Sequence, residues 1–319
     1  MTTAQDPSKT RRRRVLPGGL STGQRFHLFE WTLVAFAFSI VLVTVLTLFI
    51  LFKGAWPAIV RYGPAFVVHQ YWDPVSEHFG ALTYIFGTIV TSALALLFSV
   101  GVSICAALYL AEMAPRWLRA PFSFVVELLA AVPSVVYGLW GLLVMAPWLY
   151  RYIESPLNSL FPRFPLFGGT PRATSLFTAG VLLAIMISPF ITAVSRDVIL
   201  SASRTLKEGS IGLGATHWEA IWTLILPASS RGIFGAVVLG LGRAMGETMA
   251  VTMVVGNTPQ IKASLFAPGY TLGSVLVNEF TEASIPIYLS ALMELGLLLF
   301  AVSVLMNAAA RILVGRMAR

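Results

Sequence analysis

Three charged residues stand where the surrounding sequence leaves almost no room for charge. Arg243 and Glu247 fall inside Gly240-Leu-Gly-Arg-Ala-Met-Gly-Glu-Thr-Met-Ala, and Glu294 lies in an otherwise uncharged stretch from Pro286 to Ala310. A charge held in hydrocarbon costs on the order of 3 kcal/mol on insertion scales, so each should face a partner or a water-filled path. An arginine fork offers parallel N–H donors that suit a tetrahedral oxyanion. Alternatively, Glu247 or Glu294 ties up Arg243, and the pair fixes or gates helix packing. Arg243 and Glu247 are four residues apart and share a helix face. Arginine before glutamate is the poorer order for a helix-stabilising pair, so local stability does not explain them. On the residues alone both readings stand.

Other chemistry is excluded more firmly. His27, His69, His78 and His217 are scattered, and Cys105 is the one cysteine, inside an apolar run. No nucleophile–base pair and no metal-ligand spacing emerges, which argues against an enzyme. Of the four lysines only Lys9 precedes Ser or Thr, with no glycine before it. The chain therefore carries no P-loop, and any ATP-Mg must be bound by another chain.

The elements that hold these charges are membrane spans. With 57% hydrophobic residues, 11% charged residues and a mean hydropathy of +0.80, the composition rules out an ordinary soluble domain. Six apolar segments are long enough to cross: Trp31 to Phe52, Ala81 to Leu110, Phe122 to Leu149 interrupted at Pro133, Ala173 to Ser195, Gly232 to Gly256, and Ser284 to Ala310. The reading is an all-α integral membrane protein with a basic tail at 1–30 and a transmembrane domain at 31–319. At about 1.5 Å per residue, Arg243 lies roughly 17 Å in from Gly232, and Glu294 roughly 15 Å in from Ser284. In a core about 30 Å thick, all three charges come near the midplane.

Charge distribution orients the bundle. With the N-terminus inside, inner segments hold fifteen Lys and Arg, outer segments hold six, and Arg243 lies within a span. That asymmetry predicts both termini and the 196–231 interval on the cytoplasmic side, and it accounts for the net charge of +8 without nucleic acid. Its weak point is the outer segment from Pro147 to Arg172, whose three arginines would face an acidic partner or collect anions. Small residues at Ala236, Gly240 and Ala244, and at Gly242, Gly246 and Ala250, give the fifth span two stripes for close helix packing.

The polar interval 196–231 is the other patterned stretch. Thr216-His217-Trp218-Glu219 fits a capping box. Trp218, Ile221, Trp222 and Ile225 follow at helical spacing, and Pro227 is predicted to stop that helix. A short helix from about Thr205 should end at Gly212 and Gly214. Two short helices joined by a glycine turn would make a compact knob at a membrane surface.

Glu208-Gly209-Ser210, Gly214-Ala215 and Leu224-Ile225-Leu226-Pro227 resemble the EAA loop of ABC importer permeases, with Gly209 and Ser210 in place of two alanines. Together with Pro-Ser-Val-Val-Tyr-Gly at 133–138 and Gly-Arg-Ala-Met-Gly-Glu-Thr-Met-Ala-Val-Thr-Met at 242–253, that loop resembles the PstC-type permease subunits of phosphate ABC importers. Asn257, Ser264-Leu-Phe and Pro268-Gly-Tyr-Thr-Leu resemble the same family's outer loop. The resemblance spans roughly 80–310 and leaves out the N-terminal tail. It implies a type I ABC importer permease fold, a PstA-type sister permease, a PstB-type ATPase dimer and a PstS-type extracytoplasmic phosphate-binding protein. It also implies that Glu208, Gly209, Ser210, Gly214, Ala215, Trp218, Trp222, Leu226 and Pro227 form the ATPase-coupling surface. Arg243 and Glu247 match residues implicated in phosphate transport. A permease for another oxyanion such as sulfate, and a proton-coupled carrier using Glu247 and Glu294, are the competing readings.

Overall fold

The computed structural model describes residues 22–317, with side chains described outside 22–29, 202–207 and 313–317. The basic tail, including Arg11 to Arg14, lies outside the described residues. The chain divides into two units, Met1–Ile50 and Leu51–Arg319, each described by itself. Within the first, the apolar side chains from Trp31 to Ile50 are almost all exposed, as befits a helix surrounded by lipid or by other chains.

The described residues are helical throughout, apart from loops and one isolated bridge between Asp73 and His78. Five helices are long and apolar enough to cross a membrane, and they number six if the bent pair Arg116–Ala131 and Ser134–Leu160 is counted as one broken span. In order, α1 is Thr22–Tyr62, α2 Ala65–Val68 and α3 Leu82–Leu108; α4 is Arg116–Ala131 and α5 Ser134–Trp140. The short α6 is Ala146–Leu149 and α7 Ser155–Leu160, followed by α8 at Leu176–Gly212 and α9 at His217–Ala220. The chain finishes with α10 at Leu226–Gly246, α11 at Met249–Val254, α12 at Leu272–Glu279 and α13 at Pro286–Met317.

Prolines shape these helices in a way that the sequence reading missed. The described residues contain four π-helical turns: Tyr109–Met113, Gly141–Met145, Tyr150–Glu154 and Ile221–Ile225. Pro115, Pro147, Pro156 and Pro227 each follow such a turn by two residues. A proline in an α-helix drives its ring into the carbonyl four residues back, and it has no N–H to give. For Pro147, Pro156 and Pro227 that carbonyl belongs to the middle residue of the π turn, where the wider ring of hydrogen bonds makes room; before Pro115 the helix has already ended, with Ala114 extended at ψ 130. Pro227 thus does not stop its helix, and the helix runs on from His217 to Gly246. For the same reason Pro147 and Pro156 leave the third crossing helical to Leu160, beyond the predicted end at Leu149. Pro57, Pro121 and Pro189 are accommodated within α-helix.

The core of the second unit is built on α3 and α8. Gly180 of α8 leaves no space for a Cβ against the Leu94 side chain, at 2.6 Å, so the two backbones approach closely. Ser103 Oγ donates to the Ser188 carbonyl at 3.1 Å across the same pair. Apolar burial continues through Leu182, Leu183, Met186, Ile187 and Ile191 to Ala236, Val251 and Val254. By contrast, α4 has no buried residue.

A second cluster joins the loop after α2 to α12 and α13. Glu279 accepts from Trp72 Nε1 at 2.6 Å, from the Tyr288 hydroxyl at 2.8 Å and from the Tyr270 hydroxyl at 3.3 Å. Burial pushes the Glu279 carboxyl above its ordinary range, and the three donors pull it part of the way back. A pKa higher in the folded than in the unfolded chain means that the native state binds the proton more tightly, so this contribution grows as pH falls. Between about pH 7 and about pH 5 the melting temperature of the protein should therefore rise relative to that of Glu279→Gln. A constant or shrinking gap in a thermal-unfolding series would show that the carboxyl does not titrate as described.

Candidate functional site

The fifth crossing is broken where its charges lie. α10 ends at Gly246, Glu247 is extended at φ −73 and ψ 125, and α11 begins at Met249. The sequence predicts one helix through Gly256 with Arg243 and Glu247 on a shared face, and the break overturns that. Gly242 and Gly246 disfavour helix and Thr248 is β-branched, but packing decides the matter. Gly273 of α12 presses into the gap, where a Cβ would lie 3.0 Å from the Glu247 carbonyl and 2.8 Å from the Thr248 side chain.

The break makes sense of the charge order. Arg243 occupies the last turn of α10, where helix carbonyls favour a cation. Glu247 precedes α11, and its Oε1 accepts from the Ala250 amide at 3.2 Å. Each charge is stabilised by its own helix end. Among the described residues Arg243 has no carboxylate within ion-pair distance. The structure thus brings together neither Arg243 and Glu247 nor Arg243 and Glu294.

Arg243 faces the other broken helix instead. Its Nη2 donates to the Ala130 carbonyl at 3.4 Å, and its guanidinium lies 5.7 Å from the centre of the Phe190 ring. Ala130 is near the end of α4, just before a 90° bend at Val132 and Pro133. Tyr137 bridges that bend, its hydroxyl donating to the Leu129 carbonyl at 2.9 Å. Gly138 lets α5 meet α11, for a Cβ there would come within 2.9 Å of the Ala250 Cα. Two discontinuous helices therefore meet beside one arginine. Broken helices with free backbone groups, facing protein or water rather than lipid, are how membrane transporters build ion sites. Pro133 and the Gly242–Thr248 stretch signalled the two breaks singly; their juxtaposition was not legible.

Glu294 is 7% exposed, beside Leu292 and Leu295 of the second cluster, and its Oε2 has no partner among the described residues. Gly240 abuts Ile191 of α8, with 2.7 Å for an added Cβ, and Gly242 faces Asn307 of α13. Gly246 has nothing within 4 Å, so only part of the double stripe is filled by this chain. Glu127, given no role from sequence, pairs with Arg196 of α8 at 3.0 Å.

The patterned interval 196–231 is the tip of a helical hairpin. α8 does end at Gly212, but it begins at Leu176, so the first helix is long rather than short. Gly214 takes φ +92 in the turn, a conformation that suits glycine. The capping box forms: the Glu219 amide donates to Thr216 Oγ1 at 3.3 Å, and Glu219 Oε2 accepts from the Thr216 amide at 2.8 Å. The four-residue apolar face is divided by the π turn. Ile221 and Ile225 are buried against Ala107, Ala111 and Ile199, whereas Trp218 and Trp222 are exposed, their ring centres 5.7 Å apart. Ser210 is buried; Glu208, Gly209, Gly214 and Pro227 are exposed, and Ala215 and Leu226 are half-buried.

Comparison with known proteins agrees with this arrangement. Residues 103–319 match the family model described as binding-protein-dependent transport system inner membrane component. The phosphate transport system permease protein PstC of Haemophilus influenzae is 44% identical over 294 residues, covering 91% of this chain and 93% of that one. The protein of the same name from Mesorhizobium japonicum is 46% identical over 270 residues, 83% of each chain. Among solved structures, a bacterial ABC transporter that imports alginate aligns with a TM-score of 0.55 at 16% identity, covering 91% of this chain and 99% of that one. The inward-facing MetNI methionine ABC transporter aligns with a TM-score of 0.53 at 17% identity, covering 74% and 94%. At such identities the structural matches speak for the fold alone.

Proposed function

Because this chain belongs to the binding-protein-dependent transport system inner membrane components, in their PstC branch, we propose that it is the membrane-spanning permease subunit of an ATP-driven phosphate importer. It is a transporter subunit of the inner membrane, not an enzyme, and it works with an ATPase, a sister permease and a binding protein. The finer assignment is a PstA-type sister, a PstB-type ATPase dimer that binds ATP-Mg, and a PstS-type phosphate-binding protein. The observation that carries the reading is 44% identity to a phosphate permease over 91% of the chain. The setting of Arg243 supports it, since a fork beside two helix breaks suits an oxyanion, and the proposed path runs through a crevice there.

The hairpin tip is the proposed lever. ATPase closure pushes on Trp218 and Trp222, α8 and α10 carry the displacement, and the crevice opens to one side or the other. On this reading the tip and both termini are cytoplasmic, as the fifteen-to-six distribution of Lys and Arg indicates. Reconstituted with all three partners, the protein should accumulate phosphate only while ATP is hydrolysed. Equal uptake without the ATPase, or sulfate carried in preference to phosphate, would refute the assignment.

A further inference from the structure

A second basic site lies away from Arg243, where two loops meet. The loop before α8 and the loop between α11 and α12 enclose a cavity of about 190 Å³. Its polar lining consists of Arg172, Lys262, Thr170, Thr258, Gln260 and Ser264, and no acidic residue contributes. Neither cation has a carboxylate within 4 Å among the described residues. Gly169 takes φ +93 at the rim, and among the described residues neither its amide nor that of Thr170 donates to a backbone carbonyl.

The walls are built rather than floppy. Leu265 N donates to the Leu166 carbonyl at 2.9 Å, Thr258 N to the Gly269 carbonyl at 3.0 Å, and Phe167 stacks on Phe266 with centres 5.5 Å apart. Asn158 Nδ2 holds the Phe167 and Gly169 carbonyls at 2.6 and 2.9 Å. Gln260 Nε2 donates to the Pro268 carbonyl at 3.4 Å.

From this we infer that the cavity is a receiving site for inorganic phosphate, used before the ion reaches the crevice at Arg243. Two exposed cations, the Thr170 and Ser264 hydroxyls and two backbone amides around one hollow suit an ion with acceptors on every side, while the Thr258 hydroxyl is spent on the Gly256 carbonyl at 3.0 Å. A planar carboxylate from a docked protein would satisfy one side only. The cavity also adjoins the loop that follows α11, the half-helix beyond the break, so an ion bound here sits at the outer end of the broken span. This inference rests on the phosphate-importer reading.

Lysine footprinting of the complete transporter in nanodiscs tests it, with inorganic phosphate as the probe. Millimolar phosphate should slow acylation of Lys262 several-fold, leave Lys53 unchanged, and lose that effect in Arg172→Gln but not in Arg172→Lys. Equal Lys262 rates with and without phosphate would overturn the inference, as would equal protection by chloride at matched ionic strength. Protection that requires phosphate-free binding protein would also overturn it, by assigning the cavity to a partner's carboxylate. Phosphate uptake by the unmodified assembly is measured in parallel: its failure would instead remove the functional reading.

Discussion

Arg243→Gln should lower phosphate uptake by about 100-fold or more, the scale expected when a charge-assisted donor to a transported or reacting oxyanion is removed. The assembly itself should survive. Deleting one member of a buried ion pair strands the other and costs about 3–5 kcal/mol, which would confuse loss of transport with loss of fold. Arg243 has no carboxylate partner among the described residues, and its one polar contact is a 3.4 Å bond to a carbonyl. Arg243→Lys keeps the charge but loses the fork, so uptake should recover only in part. Glu247→Gln should do much less, since an amide oxygen can still accept from Ala250. Size-exclusion profile and melting temperature, read alongside uptake, decide the matter. An Arg243→Gln assembly that falls apart would make the residue structural.

Paired Trp218→Glu and Trp222→Glu substitutions should break the link between ATP and transport. Tryptophans at the centre of an interface commonly carry about 2–4 kcal/mol each, so uptake per ATP should fall ten-fold or more. The permease should still fold. Both rings are more than half exposed, at 56% and 55%, while the capping box and the buried Ile221 and Ile225 hold the tip from within. The measurement is phosphate accumulated per ATP hydrolysed in proteoliposomes. An unchanged ratio would place the coupling contact elsewhere on the hairpin.

Much of this was legible in the sequence, for reasons that separate local from distant causes. The capping box, the end of a helix at Gly212 and the turn at Gly214 depend on neighbours a few residues away, and the pattern of residue types carries them. Six apolar stretches announce themselves by length. The break at Glu247 depends on Gly273, twenty-six residues further along and in another helix, which no spacing rule reaches. The π turns escaped for a different reason. A proline in an apolar run reads equally well as a stop, a kink or a tolerated guest, and only the backbone four residues earlier decides which.

Those proline-marked turns also determine where this permease can flex. Were the Ile221–Ile225 turn to tighten into ordinary α-helix, the Pro227 ring would strike the Thr223 carbonyl, and the same obstacle stands behind Pro147 and Pro156. The wide turns are latched and cannot act as springs. On the proposed coupling, work delivered at the tryptophans would travel along α10 without being absorbed at its root, and the nearest break in the span is the gap between Gly246 and Met249, beside the arginine.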